Sequence, residues 1–435
     1  MTVLMNKKAE IKNRIDLINR GEVPEGYKCC WGYIYPESWN IKSLKDLFYK
    51  VKTKNTANES LPVLTNSATL GVILQDEYFD REIVNDENTN NYYIVENGDF
   101  MYNPRISSNA PAGPINRNTL GQKGIASPLY TIFRAKETEN IEFVEKYLKS
   151  NYWHRYMKSV SNQGARHDRL NINDEDFMRM PIPQPSQQEQ EKIAKILNCC
   201  DKVIELKQQL LVEIINIKKY IVDKILIKNV QKDKVQEVKL KDISRFITKG
   251  TTPNRFEKHS DIKFIKIESI VNGKIDNSKC SHISRNIHDN ELSRSKLQEN
   301  DILFGIAGAL GVCTKVEKKN LPANTNQALA IIRLNDVNSI DYVIEVLKSP
   351  IMKKYIHSNN VGCAQVNLNL EQISNFKFKL PCKISQILII KLFKNMNKKI
   401  ELLSQELEQY KQLKKALLQL LLTGIVRTVE ADCEN

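Results

Sequence analysis

The chain is short of the residues and spacings that catalysis and metal binding require. Its nine cysteines include the vicinal pairs Cys29–Cys30 and Cys199–Cys200, but no CxxC and no cysteine–histidine set at zinc-ligand spacing. The six histidines, His154, His167, His259, His282, His288 and His357, form no HExxH, so hydrogen-bonding roles are the default for each. No two prolines adjoin, which removes the [DN]PP[YF] motif with which an adenine methyltransferase holds a flipped base; SPLY (127–130) and NPRI (103–106) are the nearest approaches and neither fits. No GxxxxGK[ST] occurs, so the phosphate cradle of an ATP-driven motor is missing. The glycine-rich GIAGALG (305–311) is followed by VCTKVEKK, a β-like basic stretch that offers no helix N-terminus, so a hairpin or ligand-facing loop fits it better than a cofactor turn. No catalytic, cofactor-binding or metal-ligating residue is assigned, and no enzyme is read in this chain.

A run of about 18 apolar residues is also lacking, as is an apolar signal core near the N-terminus. The expectation is a cytoplasmic protein with reduced thiols and no membrane partner. What is present is positive charge: 65 Lys and Arg against 51 Asp and Glu, a formal +14. That balance favours a polyanionic partner, nucleic acid first, although ribosomal, membrane-surface and merely lysine-rich proteins share it. At 435 residues the chain has room for two to four domains, each with its own core.

The second half repeats the first. IEFVEKYLKS (141–150) returns as IDYVIEVLKS (340–349), SLKDL (43–47) as KLKDI (239–243), and IEL (204–206) as IEL (400–402). A period of about 200 residues is far longer than a solenoid unit and marks a duplicated domain with a duplicated helix. Residues 1–38 form a mixed, basic lead-in. Block 39–185 alternates short β-like runs with turns (LPVLT, NYYIVENGDFMYN, PLYTIFRA) before a helical patch at 140–158. Block 238–382 repeats that order, with IKFIKIESIVNG, NDILFGIAG and QALAIIRL before the patch 340–356. Each block is predicted to be α+β with a mixed or antiparallel sheet.

A helix is predicted over 186–230, with Ser186 as N-cap and Glu189 at capping-box spacing. Ile193, Leu197, Cys200, Ile204, Leu211, Ile214, Ile221 and Ile225 follow at alternating spacings of four and three, with Lys207 and Lys218 as breaks. A second helix, 383–424, carries Ile389, Leu392, Met396, Leu403, Tyr410, Leu413, Leu417 and Leu420, with Lys399 and Glu406 as breaks; residues 425–435 form a tail. Each helix runs about 40 residues, or roughly 60 Å. A block of this size has a radius of gyration of about 15 Å, so packing of each helix wholly on its own block explains less than pairing of the two in an antiparallel coiled coil.

With these segments in view, the chain resembles the specificity subunit of Type I restriction-modification systems over nearly its whole length. The resemblance rests on GYKCCWGYIYPESWNIKSLKDLF (26–48), GARHDRLNINDEDFMRMPIPQPSQQEQEKIAKIL (164–197), VKLKDISRFITKGTTP (238–253), NDILFGIAGALG (300–311) and KKALLQLLLTG (414–424). One departure is LPCKISQILIIKLF (380–393), which lacks the EQ–IA pattern of the first copy. The resemblance implies two target-recognition domains separated by two long antiparallel helices with a pseudo-twofold relation. It implies a non-catalytic subunit that reads a bipartite double-stranded DNA sequence and docks two methyltransferase subunits, with restriction/translocase subunits joining. Adenine-N6 methylation would use S-adenosylmethionine, and restriction ATP with Mg, all held by the partners.

Base reading needs donors at base edges and cations along the phosphates, and loops that follow strands are natural carriers. In the first copy Asn103, Arg105, Ser107 (with Ser108) and Asn109 form one such loop, and Gln163, Arg166, His167 and Arg169 a second. In the second copy Lys249, Thr251, Thr252, Asn254 and Arg255 form a basic turn; Asn324, Asn326 and Gln327 precede a strand; Asn359, Asn360 and Gln365 match the first copy's second loop. Arg105 is the leading candidate for base readout. GPINRNTLGQKG (113–124) has no evident counterpart in the second copy, and together with the differing loops this predicts an asymmetric target. The alternative to a DNA-reading subunit is a non-catalytic scaffold with paired helices and incidental charge.

Overall fold

The computed structural model describes residues 2–78, 89–136, 140–162, 168–224, 235–258, 260–358 and 367–429. The chain forms two compact units: Met1–Leu206 with Leu407–Asn435, and Lys207–Glu406. Each unit is an α+β domain together with part of each long helix.

In the first unit the lead-in is a helix, Thr2–Asn19, and a hairpin of Tyr27–Cys30 with Tyr33–Pro36. An antiparallel sheet then runs in the order Phe48–Lys50, Thr131–Ala135, Phe100–Tyr102, Ile115–Arg117. A second, mixed sheet has the order Gly71–Leu74, Val63–Ser67, Gly124–Ala126, Tyr93–Val95, and its two central strands are parallel. Strand periodicity of two explains why the antiparallel sheet serves two cores. Phe100, Tyr102 and Phe133 enter one core with Trp39, Tyr147, Trp153 and Phe177, while Met101 and Ile132 enter the other with Leu64 and Val95. The helix Ile141–Leu148 buries Phe143, Val144, Tyr147 and Leu148 on one stripe, as spacings of one, three and four require. Asn40–Ser43 pairs with Pro181–Gln184, so the strand that enters the domain is hydrogen-bonded to the strand that leaves it.

The second unit repeats this plan in the same order. Its antiparallel sheet is Ser244–Lys249, Leu329–Leu334, Ile302–Gly305, Cys313–Lys315, and its mixed sheet is Ser281–Ile283, Ile262–Ile265, Ala323–Thr325. Gln236–Lys239 pairs with Lys377–Leu380. The same alternation sends Ile302 and Phe304 to one core and Leu303 to another. Both copies also share a turn. Asp99 follows Gly98 at φ 97° and accepts from Arg134 at 2.6 and 2.9 Å; Asp301 follows Asn300 at φ 72° and accepts from Arg333 at 2.6 and 2.7 Å. Asp301 is fully buried, so the guanidinium offsets the cost of taking its charge out of water.

This duplication corrects one expectation. Residues 113–124 do have a counterpart: strand Ile115–Arg117 corresponds to Cys313–Lys315 and Gly124–Ala126 to Ala323–Thr325. The sequences diverge because the two connections make different turns, built on buried Asn118 in one and on buried Asn320 in the other.

The first long helix is Gln187–Asp223 and the second Lys383–Leu422. Their first turns pack into the domain cores, Ile193 and Leu197 in the first unit and Ile389 and Phe393 in the second. In the first unit Asp201 accepts from Lys146 at 2.7 Å and pairs with Lys414. In the second unit Lys207 meets Glu406 at 2.7 Å and Lys218 meets Asn397 Oδ1 at 2.6 Å. Partner numbers fall on the second helix as they rise on the first, so the helices are antiparallel. The stripe on the first helix lies where the periodicity puts it, with Ile193, Leu197 and Ile214 buried and Ile204, Leu211 and Ile221 half-buried; Ile225 lies outside the described residues. On the second helix the phase differs. Met396, Leu403 and Leu417 are covered, but Leu392 is 40% and Leu413 50% exposed, whereas Phe393 is 1% and Leu407 8% exposed. The covered positions are Ile389, Phe393, Met396, Ile400, Leu403, Leu407, Lys414, Leu417 and Leu421, while Tyr410, also predicted for the stripe, is exposed. Spacings of three-then-four and four-then-three have the same seven-residue period, and apolar residues occupy both phases, so periodicity alone could not choose.

The predicted cap at Ser186 forms only in part. Its Oγ accepts from Glu189 N at 3.4 Å, but the Glu189 carboxylate turns inward to accept from Trp39 Nε1 (3.1 Å), Arg427 (2.8 and 2.9 Å) and Thr428 N (3.2 Å). A two-pronged Arg–carboxylate contact in a buried site is stronger than the reciprocal bond of a capping box.

Candidate nucleic-acid interface

Antiparallel registers bring the candidate loops together. In the first unit Thr131 lies opposite Tyr102, Phe133 opposite Lys50, and Tyr102 opposite Ile115. The segments after Lys50, before Thr131 and between Tyr102 and Ile115 therefore emerge at one end of the antiparallel sheet. In the second unit Lys249 lies opposite Ala330, Gly305 opposite Leu329, and Phe304 opposite Cys313, which gathers the corresponding segments at the same end. The Asp99–Arg134 and Asp301–Arg333 pairs occupy the other end of these strands.

The first unit's hairpin loop follows strand Phe100–Tyr102. It is closed by Asn103 N to Pro114 O at 3.1 Å and by Gly113 at φ +79°, where a Cβ would sit 2.1 Å from Asn103 O. Asn103 is half-buried and works locally, donating to Asn66 O and accepting from Arg105 N. Ser107 Oγ accepts from Ala110 N, which shapes the tip and leaves Asn109 exposed. Arg105 is exposed, and a backbone bridge joins it to Arg169, so the two candidate loops meet. Its guanidinium lies 3.8 Å from the Asp168 carboxylate, at 68% and 51% side-chain exposure, a contact that water screens and that leaves the Arg donors available. Gln163, Arg166 and His167 lie outside the described residues.

In the second unit GIAGALG is the hairpin loop at the corresponding place, closed by Gly305 N to Val312 O at 2.7 Å with Gly311 at φ +79°. The basic turn begins at Gly250, where a Cβ would sit 1.8 Å from Thr325 O. Only glycine permits this approach, which lets Thr251 N donate to Thr325 O at 3.2 Å and Thr252 Oγ1 reach Gln327 at 2.6 Å. Lys249, Thr251, Thr252, Asn254, Arg255 and Gln327 are exposed, and Asn326 is half-buried with its Oδ1 on Ala328 N. Asn324 differs from expectation: it is a buried strand residue bonded to His288, Leu292 O and Ser295, so it supports the sheet from within. Asn359, Asn360 and Gln365 lie outside the described residues.

Sequence reasoning missed Lys52, Lys54 and Lys266, which are at the same strand ends. Lys52 and Lys54 are exposed just after Phe48–Lys50, and Lys266 follows Ile262–Ile265, whose Ile265 is level with Thr325. The repeat contained part of the signal, because aligning SLKDL with KLKDI sets residues 52–54 against 248–250, where the basic turn of the second copy begins. His154 is held neutral, its pKa lowered to about 4 by burial and then by Lys158, so it adds no charge at pH 7. Burial raises the Cys313 thiol to about 12, which makes it an inert core group. Among the described residues no three His, Cys, Asp or Glu are placed to hold a metal ion, and no helix is long and apolar enough to cross a membrane.

One α+β domain, present twice and carrying cations and amide donors at one sheet end in each copy, is the arrangement of a DNA-specificity protein with two recognition domains. The sequence profile of the family described as Type I restriction modification DNA specificity domain matches residues 36–216 and again 232–412, and the chain belongs to that family. The MjaVIII specificity subunit of a Type I restriction enzyme from Methanocaldococcus jannaschii is 24% identical over 444 residues, covering 93% of this chain and 96% of that protein. The EcoBI specificity subunit from Escherichia coli is 32% identical over 127 residues, covering 28% and 25%. The crystal structure of the HsdS subunit from Thermoanaerobacter tengcongensis shares the fold at TM-score 0.50 and 15% identity, over 90% of this chain and 98% of that one. A chain from a structural study of type I R-M complex assembly and conformational transition does so at TM-score 0.57 and 13% identity, over 90% and 99%.

Proposed function

We propose that each unit reads one half of an asymmetric, bipartite duplex DNA sequence with its sheet-end loops, and that the long helices dock two methyltransferase subunits. The observation that carries this reading is the duplication itself. Two domains of one strand order present donor-rich loops at the same end, yet the loops differ in length and chemistry: an Arg105–Arg169 bridge in one, a Thr252–Gln327 turn in the other. Equal frames with unequal loops suit two different half-sites.

The docking role is supported by apolar side chains that the helices leave in water, among them Leu210, Ile217, Ile387, Leu388, Leu402 and Leu413. Apolar surface on that scale marks a protein interface. In this reading the methyl donor S-adenosylmethionine, and the ATP and Mg of restriction, belong to the partner subunits, and modification falls on adenine N6. Restriction/translocase subunits join the same complex. The test is co-expression with a methyltransferase subunit followed by DNA binding and methylation. The complex is expected to modify a split sequence that neither protein modifies alone; a scaffold with incidental charge predicts the same methylation with and without this chain.

A further inference from the structure

We propose that Phe256 reads the 5-methyl group of a thymine in the half-site of the second unit, an inference that rests on the DNA-reading role above. Phe256 lies in the turn after strand Ser244–Lys249 and is 43% exposed, although aromatic side chains ordinarily dominate cores. Its place at the sheet end is fixed, because Thr251 N bonds Thr325 O on one side and Glu257 N bonds His282 O at 2.9 Å on the other. Its ring is braced as well. Phe264 crosses it at 65° with centroids 5.4 Å apart, and the Lys266 ammonium lies 4.6 Å from the ring centre.

Lys266 lies against the ring, and Arg255 and Lys258 are exposed next to it in the chain. A protein partner that sought an apolar contact would meet three cations here, whereas duplex DNA supplies phosphates for the cations and one apolar group on its base edges, the thymine methyl. An intercalating wedge is less suited, since a wedge must project its ring between base pairs. More than half of the Phe256 surface is already covered by its own unit. The remaining ring surface is enough to touch a methyl group. The corresponding connection of the first unit, residues 51–62 (VKTKNTANESLP), contains no aromatic residue, so the device belongs to the second half-site alone.

The test uses the assembled complex with its methyltransferase subunits and the target defined by its own methylation pattern. Each thymine of the second half-site is replaced in turn by uracil, which keeps every hydrogen bond and removes only the methyl. At about 0.8 kcal/mol per buried methyl, one replacement should weaken binding about fourfold. Phe256→Ala should bind thymine and uracil DNA alike, and Phe256→Leu should keep part of the difference; thermal melting of each variant checks that the unit still folds. A half-site without thymine, equal binding of thymine and uracil by the wild type, or a difference that persists in Phe256→Ala overturns the proposal. Fluorescence of 2-aminopurine beside the contacted thymine reports unstacking, and a rise on binding that is lost in Phe256→Ala identifies a wedge and overturns it too. If the complex recognises no bipartite sequence at all, the DNA-reading role itself fails.

Discussion

Lys207, a polar break in the apolar stripe of the first helix, meets Glu406, the exposed neighbour of buried Leu407 on the second helix, at 2.7 Å. Lys207 is charged where the seven-residue pattern asks for an apolar side chain, and Glu406 answers it from the rim of the second helix's covered face. A shifted register would separate the two charges and leave Lys207 among apolar side chains, so the pair favours one alignment of the helices. Glu406 is half exposed, and the pair should contribute only about 0.5–1 kcal/mol. Lys207→Glu and Glu406→Lys should each lower the melting temperature, and the double exchange should recover most of the loss. Additive losses would mean that the contact does not set the register.

The phase of the second seam is separately testable. Phe393→Ala removes a core side chain and should cost about 3–5 kcal/mol in the chain alone. Leu392→Ala, one residue away, should change stability by no more than about 0.5 kcal/mol. If the exposed face docks methyltransferase subunits, Leu392→Ala should instead weaken assembly, measured by titration of one subunit into the other.

The buried Asp301–Arg333 pair separates stability from reading. Asp301→Ala leaves a largely buried guanidinium uncompensated and should cost about 3–5 kcal/mol. Because the pair is at the end of the sheet away from the candidate loops, the loss should appear in melting of the second unit and in recognition of its half-site, with the first half-site still discriminated. Equal loss at both half-sites would contradict the assignment of one unit to each.

Asp201 supplies a pH dependence. Burial tends to raise its pKa, but the hydrogen bonds and charges of Lys146 and Lys414 outweigh burial and hold the carboxyl below its ordinary value. A folded pKa below the unfolded one means that this contribution is complete above the unfolded value, about 3.9, and is lost as pH falls through the folded one. Asp201→Asn should therefore be less stable than the wild type near neutrality, and the gap should close on acidification below about pH 4. A gap that stays constant in denaturant titrations down to pH 3 would contradict the ion network.

For Arg105, affinity should be measured against salt. Arg105→Ala should lose about 1–3 kcal/mol of discrimination at one base with an unchanged salt slope, and Asp168→Asn should tighten binding by removing a charge that repels phosphate. Uniform weakening with a shallower slope would make Arg105 a phosphate contact.

Much of this architecture was legible in the sequence because its signals are periodic. The repeat of IEFVEKYL as IDYVIEVL identified corresponding helices, and the spacing of Ile193, Leu197, Ile204 and Leu211 identified the stripe of the first helix. The phase of the second helix was not legible, since Leu392 and Phe393 satisfy the same period and only contact with the first helix distinguishes them. The same limit applied to the loops. Asn324 and Asn326 are two residues apart in one amide-rich run, yet one is a buried strand residue and the other is in a turn, a difference set by strand register. The inward turn of Glu189 depends on Arg427, 238 residues away, and no local pattern reports it.

Long-read methylation mapping of a host with and without this chain tests the central claim most directly. The account predicts a split, asymmetric motif that appears only when the chain is present. Changes in the second unit's loops (Lys249–Arg255 and Asn326–Gln327) should alter one half of it and leave the other intact. A methylation pattern that is unchanged when the chain is deleted, or a continuous palindromic motif, would contradict it.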